Sequence, residues 1–79
     1  MRMQLKMPRL KPGMEEGTLC AVLVEEGDTV EAGEAVFEVE TDKVVSQIEA
    51  PKKGKVVAIR AEEGDNVPVD GVVLEVETE

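Results

Sequence analysis

The sequence predicts an all-β fold: a flattened β-barrel or sandwich of two four-stranded antiparallel sheets with internal pseudo-two-fold symmetry. Three observations support this prediction: an internal repeat, short segments in which apolar and polar residues alternate, and no window with a convincing helical period. Two similar β units without a covering helix must bury their apolar faces against each other. With 79 residues, the chain is long enough for one domain, residues 1–79, and too short for two.

The internal repeat has a period of 37 residues. At this shift Gly17–Thr41 aligns with Gly54–Thr78, and 12 of the 25 aligned positions are identical. The motifs EEGD and EVET both recur at this one offset. Chance similarity in a chain rich in valine and glutamate would not align both motifs, so the chain consists of two copies of one unit.

Each copy contains two predicted strands separated by an EEGD turn, and two further strands precede or follow the first copy. Gly27 and Gly54 are assigned as turn glycines, since glycine takes a positive φ without strain. Pro51 ends the fourth segment. The six predicted strands are Gln4–Met7, Thr18–Val24, 35–41, Val44–Ala50, Lys55–Ala61 and 72–78.

Strand alternation predicts which side chains form the core, since successive side chains point to opposite faces. The inward set is Ala35, Phe37, Val39 and Thr41 in the first copy and Val72, Leu74, Val76 and Thr78 in the second. The outward set is Val36, Glu38 and Glu40. Cys20 aligns with Val57, so we expect a small buried hydrophobe and not a reactive thiol.

Composition excludes several classes of function. The chain has no His and one Cys, which excludes an internal disulfide, a structural zinc site and His-dependent catalytic triads. The net charge of −9 and the single Phe argue against nucleic acid binding. No apolar run approaches a membrane span, and MRMQLKMP lacks a secretory core. We expect an intracellular protein that is monomeric in isolation, because the predicted fold leaves no large exposed apolar face.

The residue pair Asp42-Lys43 separates two predicted strands and is therefore the predicted tip of a tight β-hairpin. Asp is a frequent turn former, and a tip residue projects into solvent from the rigid hairpin. Lys43 also lies at the junction between the two copies. By the internal symmetry, the equivalent point of the second copy is the end of the chain, so the termini should lie at the other end of the domain.

The whole chain resembles a lipoyl domain of the acyltransferase (E2) subunits of 2-oxo acid dehydrogenase and acetoin dehydrogenase complexes. The motifs that carry the resemblance are MPRL, MEEGT, EEGDTVEAGE, ETDKV, APKKGKV and EEGDNVPVDGVVLEVE. Gly27 and Gly54, 16 residues before and 11 after Lys43, lie where lipoyl and biotinyl domains have glycine. Two features differ from the common pattern of lipoyl domains. Many have Ala after the lysine, where this chain has Val44, and many have a PDIGEG-like start, where this chain has PRLKPGMEEG. MEEGT is more similar to the pyruvate and acetoin branches than to the 2-oxoglutarate branch.

The resemblance implies that lipoate is joined by an amide to Lys43, with Asp42, Val44 and Glu40 as flanking recognition residues. It implies a swinging arm that carries acyl groups and electrons between a thiamin diphosphate enzyme (E1), the E2 acyltransferase site with coenzyme A, and a flavoprotein, dihydrolipoamide dehydrogenase (E3). A lipoate-protein ligase or lipoyl transferase would attach the group. The chain would be a non-catalytic domain of a longer E2 subunit, and the loop Leu10 to Glu16 would help E1 select it. The resemblance also implies the cytoplasm of a prokaryote rather than the mitochondrial matrix.

Three other classes of protein are alternatives to a lipoyl domain of an E2 subunit. A biotin carrier domain has a similar hairpin but typically has Met on both sides of the lysine, unlike Asp42 and Val44. A glycine-cleavage H protein is longer and has helices. An unmodified structural or interaction module of the same fold would leave Lys43 as a free amine. The clustered carboxylates indicate a solvated acidic surface that can steer encounters with basic partners rather than an acid–base catalyst.

Overall fold

The computed structural model describes residues 1–78, and within them it contains eight strands and no helix. Accordingly, these residues include no helix capable of crossing a membrane. The strands are β1 (Arg2–Lys6), β2 (Glu16–Val22), β3 (Thr29–Val30), β4 (Ala35–Thr41), β5 (Val44–Glu49), β6 (Gly54–Ile59), β7 (Asn66–Pro68) and β8 (Val72–Glu77).

The strands form two four-stranded antiparallel sheets, which confirms the predicted fold class. Sheet A has the order β1-β8-β6-β3 and sheet B the order β5-β4-β2-β7. Each strand of one sheet has its repeat counterpart at the same place in the other, so the sheets are related by an internal pseudo-two-fold axis. The N-terminal strand β1 and the strand after the hairpin, β5, occupy equivalent edges.

The six segments located from the sequence are all strands, and their ends agree with the predicted ones to within two residues. The short strands β3 and β7 were not located. They have two and three residues, which is too short for alternation to be visible in a sequence. Each is an edge strand of its sheet, paired with one neighbour.

The buried core contains most of the predicted inward residues, but it also contains Val36, which was predicted to point outward, and its repeat counterpart. Val36 and its counterpart Val73 are fully buried, whereas Ala35 is only half-buried. The pairing of β4 with β5 shifts register between Ala35 and Phe37. Such a bulge inserts an extra residue and interrupts strict alternation, which is why the prediction for Val36 was wrong.

The first EEGD turn, residues 25–28, hydrogen-bonds to a strand of the other copy. Gly27 N–H donates to the Val56 carbonyl (2.8 Å), and Val56 N–H donates to the Asp28 carbonyl (2.8 Å). The Glu26 carboxylate accepts the N–H of Ile59 (3.0 Å). Gly27 has φ 100, a conformation that L side chains rarely adopt, so its prediction as a turn glycine is confirmed.

The second EEGD turn, residues 62–65, makes the same bonds to β2. Gly64 N–H donates to the Leu19 carbonyl (2.7 Å), and the Glu63 carboxylate accepts the N–H of Val22 (3.1 Å). Each copy therefore completes the hydrogen bonding of the other, and the repeated motif joins the two halves.

Gly54 differs from its prediction, because it is the first residue of β6 and not a turn residue. It pairs with Val30 of β3. A Cβ at this position would contact Val76 Cγ1 and lie 2.6 Å from the Glu77 carbonyl oxygen. Gly54 is therefore needed for the close approach of β6 to β8 and not for a positive φ.

Cys20 is exposed, so the prediction of a buried hydrophobe was wrong. It follows the fully buried Leu19 in β2, and because successive side chains of a strand point to opposite faces, the thiol lies on the outer face. The pKa of the Cys20 thiol is raised, first by partial desolvation and then by the negative charge of Glu38. Glu40 and Glu63 add to this rise, and a backbone hydrogen bond to the thiol opposes it.

We expect Gly54→Ala to lower the free energy of unfolding by about 1–3 kcal/mol, because the added methyl group overpacks against the Glu77 carbonyl, which cannot rotate away. Urea unfolding followed by far-ultraviolet circular dichroism measures this change.

Gly17→Ala is the matched control for this substitution, since Gly17 is the repeat counterpart of Gly54. Its added Cβ would meet Val39 Cγ1 at 2.8 Å and Met14 Cε at 2.9 Å, and these side-chain ends can move. A loss at Gly17 equal to or larger than that at Gly54 would contradict the account.

We expect alkylation of Cys20 by iodoacetamide at pH 8 to be slower than that of a free cysteine in an unfolded peptide. The raised pKa leaves less thiolate at this pH, and the thiolate is the nucleophile. The rate should rise with pH and should increase in Glu38→Gln. An unchanged rate in this variant would show that the carboxylate does not act on the thiol.

Candidate functional site

The hairpin tip between β4 and β5 consists of two residues in the left-handed region of φ. Asp42 has φ 46 and Lys43 has φ 67. Positive φ at both central residues is characteristic of a type I′ turn, whose twist matches that of the flanking strands. The strands remain paired up to Thr41 and Val44, so the tip stands on a continuous ladder. This confirms the predicted hairpin and adds the turn type.

The side chain of Lys43 is exposed, as are its neighbours Asp42 and Val44. No hydrogen bond or ion pair among residues 1–78 involves the Lys43 ammonium group. Lys43 therefore presents a primary amine to solvent from a fixed backbone position. An amine in this setting is accessible to an enzyme that forms an amide on it, without any pocket in the domain.

The other predicted site residues lie at different distances along the fold. Glu40 is exposed on β4, three positions before the lysine, and faces Val45 across the β4–β5 ladder. Gly27 and Gly54 are not at the tip: one lies in the first EEGD turn and the other in β6 of sheet A. Their roles concern the fold.

The connection between β1 and β2 contains residues that have no counterpart in the second copy. The sequence MP at 7–8 corresponds to AP at 50–51, and EEG at 15–17 corresponds to KKG at 52–54. Residues 9–14, with the sequence RLKPGM, are therefore an insertion in the first copy. We call them the inserted segment.

Backbone hydrogen bonds support this alignment. Met7 N–H donates to the Gly71 carbonyl (2.8 Å) at the end of β1. Ala50 N–H donates to the Glu34 carbonyl (2.9 Å) at the end of β5. Because Glu34 and Gly71 are themselves 37 residues apart, Met7 and Ala50 occupy equivalent positions.

The inserted segment lies against the hairpin tip. The Lys11 ammonium group forms an ion pair with the Asp42 carboxylate. At the other end of the segment Met14 is buried in the core, and its carbonyl accepts a hydrogen bond from Arg9 Nη1 (2.9 Å). A contact to the core and a contact to the tip thus fix the segment beside Lys43.

A cavity of about 380 Å³ lies between the inserted segment and the tip. Its lining is mainly polar and acidic, and it includes Glu15, Glu16, Thr18, Glu40 and Asp42. Lys43 is not among the residues that line it. The charge beside the tip is therefore predominantly negative.

A second cavity, of about 400 Å³, occupies the equivalent place in sheet A. Its lining includes Lys52, Lys53 and Lys55, which stand 37 residues after the two glutamates and the threonine of the first cavity. The N-terminal ammonium of Met1 donates to the Thr78 carbonyl (2.8 Å) at this end. As the symmetry predicts, the described chain ends meet at the counterpart of the tip.

The contact between Lys11 and Asp42 and the insertion that provides it were missed in the sequence. A signal was present in the spacing of the repeat. From Gly17 onward the two copies are offset by 37 residues, whereas MP at 7–8 and AP at 50–51 are offset by 43, and this change locates an insertion. Its position beside the tip could not be derived from the offset alone.

The chain matches the Biotin_lipoyl family model, described as "Biotin-requiring enzyme", over residues 3–76. It is 48% identical over 54 residues to the dihydrolipoyllysine-residue acetyltransferase component of the pyruvate dehydrogenase complex of Zymomonas mobilis. It is 46% identical over 54 residues to the protein of the same name from Rhizobium meliloti. Each alignment covers 68% of this chain and 12% of the relative, so the chain spans a small part of these proteins.

Among solved structures, the fold is similar to the lipoyl domain of the 2-oxoglutarate dehydrogenase complex from Azotobacter vinelandii. The TM-score is 0.79 at 27% identity, and the match covers 95% of both chains. A long-chain acyl-CoA carboxylase also matches with a TM-score of 0.79 at 21% identity, over 95% of this chain and 7% of that one, and this shows the fold alone. The match over residues 3–76, with an exposed lysine at the hairpin tip, shows that the chain belongs to the Biotin_lipoyl family.

Proposed function

We propose that the chain is a lipoyl domain, a swinging-arm carrier in which lipoate is amide-linked to Nζ of Lys43. The observation that carries the proposal is the exposed Lys43 at the tip of a two-residue hairpin, flanked by Asp42 and Val44. The acetyltransferase relatives and the lipoyl domain of similar fold support lipoate as the attached group.

The residues at the tip fit this role. The Lys43 amine supplies the nitrogen of the amide, and the exposed residue lies just beyond the last paired residues of the ladder, Thr41 and Val44. When bound, the lipoyl group supplies a dithiolane that accepts an acyl group and electrons. The domain contributes a rigid mount and an exposed attachment point, and we propose that it is itself non-catalytic.

The partners follow from the proposed role. The acetyltransferase relatives are components of pyruvate dehydrogenase complexes, and a further relative at 46% identity is named as the E1 component subunit beta of such a complex. We propose that this domain serves a thiamin diphosphate E1, an E2 acyltransferase site and the flavoprotein E3 in a complex of this kind. Because the chain spans 12% of these relatives, we also propose that it is one domain of a longer E2 subunit in the bacterial cytoplasm.

Biotin is the alternative group, since the family includes biotin-requiring enzymes. Biotinyl lysines typically lie between two Met residues, whereas Asp42 and Val44 flank this lysine. An unmodified structural module is the second alternative. Both differ from the lipoyl proposal in the mass that Lys43 gains from a ligase.

We expect wild-type protein, incubated with lipoate, ATP and a lipoate-protein ligase, to gain the mass of one lipoyl group. Lys43→Ala should gain none, because Lys43 supplies the acceptor amine. Lys52→Ala is the matched control, an exposed lysine at the opposite cavity, and should be lipoylated like wild type. Intact-mass spectrometry measures the addition.

If wild type gains no mass while the ligase modifies another lipoyl domain, the lipoyl proposal is wrong. Addition of biotin by a biotin ligase would then support a biotin carrier. A Lys43 that neither ligase modifies would support the structural module.

We further expect the loop Leu10 to Glu16 to contribute to selection by E1, since it contains most of the inserted segment and contacts the tip through Lys11. Exchange of residues 9–13 with those of another lipoyl domain, keeping the buried Met14, should change kcat/KM for reductive acylation by at least about threefold. Lipoylation by the ligase should not change. Acylation by a bacterial pyruvate dehydrogenase E1 measures the effect, and equal values before and after the exchange would refute it.

A further inference from the structure

The outer face of sheet B, next to the hairpin tip, is acidic and apolar. Glu38 and Glu40 of β4 point outward, because they alternate with the fully buried Phe37 and Val39. In the antiparallel register, Glu40 lies opposite Val45 of β5. We call this region, which Leu23 and Thr18 extend, the sheet B outer face.

The equivalent face of sheet A neutralises its own carboxylates. Arg2 Nη1 lies 3.6 Å from Glu75 Oε1, and Arg2 Nε lies 3.6 Å from Glu77 Oε2. Arg60 Nε lies 3.4 Å from Glu75 Oε2. Lys55 lies opposite Glu77 in the register of β6 with β8. Glu75 and Glu77 therefore have cations beside them within the domain.

The internal symmetry identifies what sheet B has in place of these cations. Arg60 N–H donates to the Val73 carbonyl (2.7 Å), and Leu23 N–H makes the same bond to the Val36 carbonyl (2.9 Å). Leu23 therefore stands where sheet A has Arg60. Leu23 is 45% exposed.

The same comparison applies to the edge strands. Arg2 lies opposite Glu77 in the pairing of β1 with β8, and Val45 lies opposite Glu40 in the pairing of β5 with β4. Val45, which is 52% exposed, therefore stands where sheet A has Arg2. By the repeat, Thr18 stands where sheet A has Lys55.

The two glutamates are retained in sheet B, but the three cations are replaced by two apolar side chains and a threonine. Among residues 1–78, no ion pair involves Glu38 or Glu40, and Glu38 accepts a hydrogen bond from Gln47 (3.0 Å). The pKa of the neighbouring Cys20 thiol is raised in part by these two carboxylates, which is consistent with a negative field over this face. The fold does not require uncharged residues at these three positions, since sheet A has Arg2, Arg60 and Lys55 there.

We propose that the sheet B outer face is an interaction surface for a partner protein segment that presents arginine side chains interleaved with apolar ones. The arginines would take the places that Arg2 and Arg60 occupy over Glu75 in sheet A, and so lie over Glu38 and Glu40. Guanidinium groups form paired hydrogen bonds with carboxylates. The apolar side chains would cover Val45 and Leu23.

The position of the face agrees with this occupant. Glu40 and Val45 lie on the two strands of the hairpin that ends in Lys43, so a segment bound here lies beside the tip. A second copy of this chain would bring its own net charge of −9 and is disfavoured by repulsion. The interaction requires no group on Lys43, so it can be tested whether or not the lysine is modified.

The test uses a defined probe, the acetylated and amidated peptide Arg-Val-Arg-Val-Arg, titrated into the unmodified domain at physiological salt. Amide chemical shifts in nuclear magnetic resonance spectra measure the binding site and the affinity. We expect the largest shifts at Glu38, Glu40, Val45 and Gln47. The peptide Arg-Ser-Arg-Ser-Arg should bind several-fold more weakly, and equal binding would refute the apolar part of the surface.

Leu23→Arg with Val45→Arg copies the arrangement of sheet A, so these side chains should occupy the place of the partner. We expect the affinity for the peptide to fall by at least about tenfold. Glu31→Gln with Ala32→Arg is the matched control. It raises the net charge by the same amount near Lys53, at the opposite cavity, and should change the affinity by no more than about twofold.

Glu38→Gln with Glu40→Gln is a second variant that removes the carboxylates without adding bulk, and it should weaken binding to a similar extent. The same spectra report whether each variant is folded. Equal affinities for wild type, both sheet B variants and the control, or shifts spread over the whole acidic surface, would show nonspecific attraction and overturn the proposal. Lipoylation of Lys43 is measured independently, so failure here does not bear on the carrier role.

Discussion

The rest of the structure depends on the reciprocal hydrogen bonding of the two EEGD turns. The first turn completes the bonding of β6, and the second completes that of β2, through main-chain bonds and the carboxylates of Glu26 and Glu63. Neither half satisfies its own backbone groups alone, so the two copies must fold together. In a domain of 79 residues with a small core, this exchange fixes the relation of the sheets and hence the position of everything at their ends.

The features near Lys43 are those in which the two copies differ. The hairpin tip has its counterpart at the end of the second copy, the inserted segment has no counterpart, and the acidic cavity corresponds to one lined by three lysines. Because the same fold accommodates both versions, stability does not dictate the composition at the tip. Differences between equivalent positions therefore separate residues kept for folding from residues available for function.

A carrier domain has physical requirements unlike those of an enzyme. It needs an accessible amine, a mount that does not move relative to the domain, and surfaces that several partners can approach. The type I′ tip on the β4–β5 ladder meets the first two requirements. Under the proposed role, the acidic surroundings would serve the third, since charge complementarity increases the rate of encounter and excludes wrong partners. In that proposed role, a chain without His therefore needs no catalytic side chain of its own.

The sequence by itself determined the repeat, the two-sheet fold and the exposed lysine, because these depend on local pattern: alternation, turn residues and a two-residue gap between strands. Only the tertiary structure decided that Val36 is buried, because a bulge shifts the register of β4 against β5, and which face of β2 carries Cys20. It also decided that Gly54 serves close strand packing and that Lys11 reaches Asp42. These features arise from contacts between residues distant in the chain, and no periodicity within one segment encodes them.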